Sequence, residues 1–171
     1  MPALTYFLRQ LQTLCASHPV APKILFVPSR QTGNTVVEAL AQRGTAWVNL
    51  RAMVVTDLAE QLAGPALAAE GTKRLTPDQS HFLVDELLHT QIHDTDSPLA
   101  ILKPSRRNTE TFRGTLDALR NARVTPSELR DRNRADLAGL LEAYEQKLDT
   151  NKTYDKAALL QRALAIVDRA T

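Results

Sequence analysis

The sequence has one cysteine, few aromatic residues (5%) and almost no net charge (+2 at pH 7). A lone Cys15 excludes an internal disulfide and a cysteine-built zinc site, and it fits a reducing compartment, so a cytoplasmic location is expected. Near-neutrality argues against whole-chain attraction to nucleic acid or to an anionic membrane; any polyanion contact has to come from local clustering. No apolar run approaches the ~20 residues that span a bilayer. Leu4, Phe7 and Leu8 are interrupted by Arg9 and Gln10 instead of extending into the core of an export signal, so a soluble chain with no membrane partner is expected. Repeats and low-complexity tracts are missing as well. So is a glycine-rich turn followed by lysine and a hydroxyl residue, the arrangement that wraps backbone amides around nucleotide phosphates and positions magnesium. The expectation is therefore no ATP binding or hydrolysis and no cofactor in this chain.

What is present is a foldable pattern: 171 residues, 43% of them hydrophobic, suffice for a real core. Leu4, Phe7, Leu8, Leu11, Leu14 and Cys15 recur at helical spacing until Pro19 and Pro22. Ile24 to Val27 form a short continuous apolar run, which reads as a strand buried on both faces. Ser29 to Asn34 then read as a turn, and a helix is predicted from about Thr35 to Arg43, with Gly44 as its stop. A second strand is predicted within Trp47 to Val55, and a second helix from Thr56 and Asp57 to a turn at Gly64-Pro65.

Beyond residue 70 only helices are predicted. Thr76-Pro77-Asp78-Gln79 has the form of a capping box with proline at the first helical position, leading into Phe82, Leu83, Leu87 and Leu88 as the inward face. A loop at Asp94 to Pro98 and a helix from about Asn108 to Asn121, with Phe112, Leu116 and Leu119 inward, come next. Thr125-Pro126-Ser127-Glu128 repeats the capping box, and two more helices carry Leu137 to Leu148 and Leu159 to Val167. The expected fold class is α/β, predominantly helical: a partial parallel sheet in residues 1–70 and a helical subdomain in 71–171. Two strands make a poor open sheet alone, so the chain is expected to be a fragment of a longer protein.

The stretch Ile24-Leu-Phe-Val-Pro-Ser-Arg-Gln-Thr-Gly-Asn34 resembles the strand and loop called motif Ia in superfamily 1 helicases, in the form found in AddB-type helicase/nuclease proteins. Val48 to Thr56, with Leu58 and Ala59, is similar to the strand and helix start that follow. Leu75 to Ser80 and Phe112 to Leu129 resemble the inserted helical subdomain. Leu141, Tyr144, Glu145, Leu148, Asp155, Leu159 and Leu160 resemble the helix pair that closes it. The similarity covers nearly the whole chain. It implies the amino-terminal part of a helicase-like protein of the PD-(D/E)XK nuclease family that lacks the Walker A loop, with the first helix standing where that loop would be. It also implies double-strand break repair, contact with single-stranded or unwinding DNA, and an AddA-type helicase subunit as partner. Nuclease chemistry would belong to a distant carboxyl-terminal domain, and this chain is expected to be non-catalytic. The rival expectation is a structural protein–protein interaction module that never touches DNA.

Candidate contacts follow. Ser29, Arg30, Gln31, Thr32 and Asn34 stand between a strand and a helix start, where amides and the helix dipole favour phosphate; the alternative is an ordinary polar loop. Arg106, Arg113 and Arg120 are spaced by seven and form one stripe on a continuous helix, thickened by Lys103, Arg107 and Arg123 and weakened by Glu110 and Asp117. A solvated face or a docking surface for the remainder of the protein is the preferred reading of the stripe over phosphate contact. His81, Asp85, His89 and His93 recur every fourth residue, but consecutive steps curl around the axis, so a polar stripe is expected and no metal. Asp85-Glu86 has the letters of a magnesium-holding pair and Glu145-Gln146-Lys147 those of a nuclease element; both lie inside predicted helices, where neighbouring side chains diverge.

Overall fold

The computed structural model describes residues 2–92 and 105–170. The chain divides within a helix into two compact units, one ending at Gln61 and one starting at Leu62. The sequence pattern changes character near residue 70, just beyond the end of that helix.

The first unit runs α1 (Pro2–Ser17), β1 (Lys23–Phe26), α2 (Arg30–Gln42), β2 (Leu50–Met53) and the start of α3 (Val55–Ala69). Leu8, Leu11 and Cys15 of α1 pack on Val36 and Leu40 of α2, with Leu25, Trp47 and Leu50 against them. The strands are parallel, Lys23 opposite Leu50 and Phe26 opposite Met53. The crossover between them is α2, which is the connection a parallel pair requires. Lys23 is buried, and its Nζ donates to the carbonyls of His18 (2.5 Å) and Ala21 (2.7 Å), so its charge is met by the peptide oxygens that follow α1. Asn49 enters β2 with φ of 58°, a left-handed conformation asparagine tolerates, and its side-chain amide donates to Val20 O at 2.9 Å.

Two expectations are corrected here. The β1 strand is covered on one face only: Ile24 and Phe26 are 53% and 51% exposed, so the apolar run does not mark burial on both sides. Gly64-Pro65 is not a turn, because α3 continues through it to Ala69. Proline costs a helix one hydrogen bond, but Ala63 and Leu67 are buried on either side of it and hold the segment helical.

The second unit contains the rest of α3, β3 (Lys73–Arg74), α4 (Pro77–Ile92), α5 (Arg106–Asn121), α6 (Pro126–Asp131), α7 (Ala135–Thr150), β4 (Thr153–Tyr154) and α8 (Lys156–Ala170). Both capping boxes form. Gln79 N donates to Thr76 Oγ1 (3.2 Å) while Thr76 N donates to Gln79 Oε1 (2.9 Å), and Thr125 and Glu128 exchange the same pair of bonds. The core joins Leu83, Val84, Leu87 and Leu88 of α4 to Leu116 of α5, Leu129 of α6, and Leu140, Leu141, Tyr144 and Leu148 of α7. The short parallel pair β3–β4 was not foreseen; Lys73 N–Lys152 O (2.9 Å) and Leu75 N–Tyr154 O (2.8 Å) extend it. The described residues are thus predominantly helical, with two small parallel sheets among them. Among the described residues no helix is long and apolar enough to cross a membrane. The loop expected at Asp94 to Pro98 lies outside the described residues.

Candidate nucleic-acid interface

In a parallel pair the strands end on the same edge, and ligands of open α/β sheets bind beyond that edge. β1 leads through Val27 and Pro28 to α2, and β2 leads through Val54 to α3, so two helix starts stand there. Ser29 is the N-cap of α2, with extended backbone (φ −147°, ψ 156°) and its Oγ accepting from Thr32 N at 3.1 Å. The residues expected to form a turn are therefore the first turn of the helix itself, since α2 begins at Arg30 and not near Thr35. Ser29, Arg30, Gln31, Thr32 and Asn34 are all exposed. The Ser29 and Thr32 hydroxyls bond each other at 2.9 Å.

Arg30 is committed in part. Its Nη2 donates to Asp57 Oδ1 at 2.8 Å, tying the start of α2 to the first turn of α3, although the side chain remains 80% exposed. The hydrogen bond and charge of Asp57 hold the guanidinium pKa above its ordinary value. An open depression of about 420 Å³ beside this pair is lined by Arg30, Arg51, Met53, Asp57 and Glu60. Two cations against two carboxylates give it no strong preference for either sign.

Gly33 has a role that a turn glycine does not. A Cβ there would stand 2.8 Å from Ala52 Cβ, so the bare backbone lets α2 lie close against β2. This seats the start of α2 on the sheet edge.

The three stripe arginines of α5 have three different fates. Arg106 is exposed. Arg113 is gripped by Glu110, which accepts from Nη2 at 2.5 Å and from Nε at 3.1 Å. That bond also draws the Glu110 carboxyl below its usual range. Arg120 turns inward. Its side chain is 11% exposed, its Nε donates to Asp155 at 2.5 Å and its Nη1 to Glu145 at 2.5 Å, and it stands 5.9 Å from the centre of the buried Tyr144 ring. Burial works against the Arg120 charge, but the hydrogen bond to Asp155 and the charges of Asp155 and Glu145 outweigh it and raise the pKa. Asp155 Oδ1 also accepts from Ala158 N at 2.8 Å and so caps α8. Arg120 is thus a structural tie: two carboxylates hold its guanidinium, which favours a packing role over a phosphate contact, although it still lines an open cavity with Arg123 and Gln161. Of the residues thought to thicken the stripe, Arg107 and Arg123 are exposed; Lys103 lies outside the described residues.

The polar stripe of α4 is occupied by local contacts. Asp85 Oδ1 accepts from Thr109 Oγ1 at 2.8 Å, His89 Nδ1 approaches Asp85 O at 2.8 Å, and Glu86 takes Lys147 Nζ at 2.7 Å. His93 lies outside the described residues. Among the described residues no group of three His, Cys, Asp or Glu side chains converges as a metal would require. Glu145 belongs to the Arg120 cluster and Lys147 to Glu86, so these residues face separate partners. A cavity of about 360 Å³ lined by Arg74, Ser80, Asp117, Tyr144, Asp155 and Lys156 mixes cations with carboxylates. Burial lifts the Asp117 carboxyl above its usual range there.

Phe82 overturns an expectation. Counted with the inward residues of its helix, it is instead 72% exposed. Ser80, Leu83, Val84, Leu87 and Leu88 are buried, and their common direction on a 3.6-residue helix leaves position 82 on the opposite side. The angular phase of those five residues was the available signal. Two open grooves share the ring: one of about 510 Å³ with His81, Arg106, Glu110 and Arg113, and one of about 540 Å³ with Lys73, Arg74, Gln79 and Glu86.

No protein-family model, curated protein or solved structure matches this chain, and the reading of the site therefore rests on its own residues and their geometry.

Proposed function

We propose that this chain is the amino-terminal, non-catalytic region of an AddB-type helicase/nuclease, belonging to a P-loop-helicase-like domain. In this reading it guides a single DNA strand during double-strand break processing, beside an AddA-type subunit that supplies the ATP-driven motor. The observation that carries the reading is the parallel β1–α2–β2–α3 arrangement, which sets two helix starts on one sheet edge. Exposed Ser29, Gln31, Thr32 and Asn34 stand at the first of them, where backbone amides and short polar side chains meet phosphates without reading sequence. Arg30, held by Asp57, acts as a positioned charge. Within the second unit, taken by itself, Arg106 and Arg113 of α5 are separate candidate phosphate partners.

With cations and carboxylates nearly matched, the expected affinity lies in the non-specific range of about 10⁻⁴ to 10⁻⁶ M at physiological salt. Fluorescence anisotropy of a labelled oligothymidylate across a salt series tests this. The double variant Gln31→Glu, Asn34→Asp places two carboxylates on the exposed first turn of α2 and should abolish binding while leaving the fold intact. If the wild-type chain binds no oligonucleotide even at low salt, or if the double variant binds unchanged, the reading fails.

A second reading, a structural interaction module without DNA contact, draws on the outer face of β1, where Ile24 and Phe26 are half exposed. Apolar side chains on an uncovered sheet face mark protein contact more than nucleic-acid contact. A chain that binds no DNA but captures the AddA-type subunit, and loses it on Phe26→Ser, would establish that alternative.

A further inference from the structure

A single exposed phenylalanine is ordinary on a protein surface. Phe82 differs in its setting. It stands 72% exposed on the solvent side of α4 as the shared wall of two open grooves, with Arg106 and Arg113 in one and Lys73 and Arg74 in the other. An aromatic ring between two pairs of cations is the combination by which proteins hold single-stranded nucleic acid without reading its sequence: a base stacks on the ring and the flanking phosphates meet the cations.

The rest of the surroundings narrows the ligand. Asp78, Glu86 and Glu110 also line these grooves, so the local charge is close to balanced, and Glu110 already holds Arg113. A ligand bound by charge alone would find little here, so the ring must carry much of the contact. A duplex keeps the faces of its bases in its own stack and has none to offer. A protein partner would need a continuous apolar patch, whereas Leu75, Pro77 and Leu83, which line the grooves with Phe82, are interspersed with Asp78, Gln79, His81 and Glu86. We propose that Phe82 is a base-stacking platform for a single nucleic-acid strand, with Arg106 and Arg113 on one side of the ring and Lys73 and Arg74 on the other as its phosphate contacts. The choice of ligand rests on the reading of the chain as a guide for single-stranded DNA; the placement rests on the residues around the ring.

The test uses the full chain, a labelled oligothymidylate, and an abasic deoxyribose-phosphate oligomer of the same length. Phe82→Leu keeps an apolar side chain but removes the aromatic face, and at so exposed a position it should leave the fold unchanged. It is expected to weaken oligothymidylate binding by about tenfold, to leave the abasic oligomer unaffected, and to be reversed by Phe82→Trp. Arg106→Gln with Arg113→Gln should lower the salt slope by about 1.4, two single-strand phosphate contacts' worth. Equal oligothymidylate binding by wild type and Phe82→Leu would overturn the platform, and so would an equal loss for both oligomers. If binding is lost in the Gln31→Glu, Asn34→Asp variant but not in Phe82→Leu, the platform fails while the guiding role stands. If the wild-type chain binds neither oligomer, both fail.

Discussion

Replacing Asp155 with asparagine should remove more stability than any surface substitution in this chain. The Asp155 and Arg120 side chains are 6% and 11% exposed, and the carboxylate meets the guanidinium at 2.5 Å and 3.3 Å. Removing one partner of a buried ion pair costs about 3–5 kcal/mol, because the remaining charge keeps its desolvation penalty without its compensation. Glu145, whose side chain is 40% exposed, still holds Arg120 from the other side, so the lower end of that range, about 3 kcal/mol, is expected. Asparagine caps helices as well as aspartate does, so the bond to Ala158 N survives. Asp155→Ala loses that cap too and should cost about 1 kcal/mol more. At a urea slope of about 2 kcal/mol/M, Asp155→Asn lowers the midpoint by about 1.5 M. Helical ellipticity is the probe to follow, since Trp47, the single tryptophan, belongs to the other compact unit. The control is Arg120→Met with Asp155→Asn, which removes both charges, keeps the bond to Ala158 N and should recover most of the loss. A midpoint for Asp155→Asn within about 0.3 M of wild type would refute the reasoning. A double variant no more stable than the single one would show that the cost lies in packing and not in an orphaned charge.

Two further predictions follow from single positions. Gly33→Ala puts a Cβ 2.8 Å from Ala52 Cβ and should destabilise the first unit by about 1–3 kcal/mol, read as a lower melting point of Trp47 fluorescence; recovery in Gly33→Ala with Ala52→Gly would assign the cost to that contact. Tyr144 is 1% exposed, and burial, reinforced by the nearby Asp155 charge and opposed by a hydrogen bond with Ser80, pushes its pKa up to about 12. The folded state therefore holds a proton that the unfolded chain releases near pH 10, so this contribution to stability is complete below pH 10 and is lost as pH rises towards 12. Urea midpoints measured across that window should fall in wild type and fall less in Tyr144→Phe; equal slopes would count against the shift.

The features legible in the sequence are those whose cause lies within one turn of chain. Thr76 with Gln79, and Thr125 with Glu128, signal helix starts because donor and acceptor stand three residues apart, and both boxes form. The alternation of strand and helix up to α3 is equally local. What was misread has its cause elsewhere in the chain. Gly33 looked like turn chemistry because glycine's local meaning is conformational freedom, while its function here is steric and depends on Ala52. Gly64-Pro65 looked like a stop because the apolar contacts that keep α3 helical are tertiary. β3 and β4 are two residues each and pair across about eighty residues of chain, so neither shows a periodicity to detect.

The two misplaced side chains that matter most for function have one physical origin. Helical spacing tells which residues share a face, but whether that face meets solvent or another helix depends on what packs there. For α5 the seven-residue spacing correctly aligned Arg106, Arg113 and Arg120, yet Asp155, thirty-five residues beyond Arg120, converts the last of them from a surface charge into a buried tie. For α4 the error runs the other way. Phe82 was assigned inward by its chemistry, when the five buried residues of that helix already fixed a direction that excludes it. Apolar character is therefore a poor guide to burial at a single position, and angular phase a better one. The residue whose chemistry and phase disagree is the one most in need of a functional explanation, and in α4 that residue is Phe82.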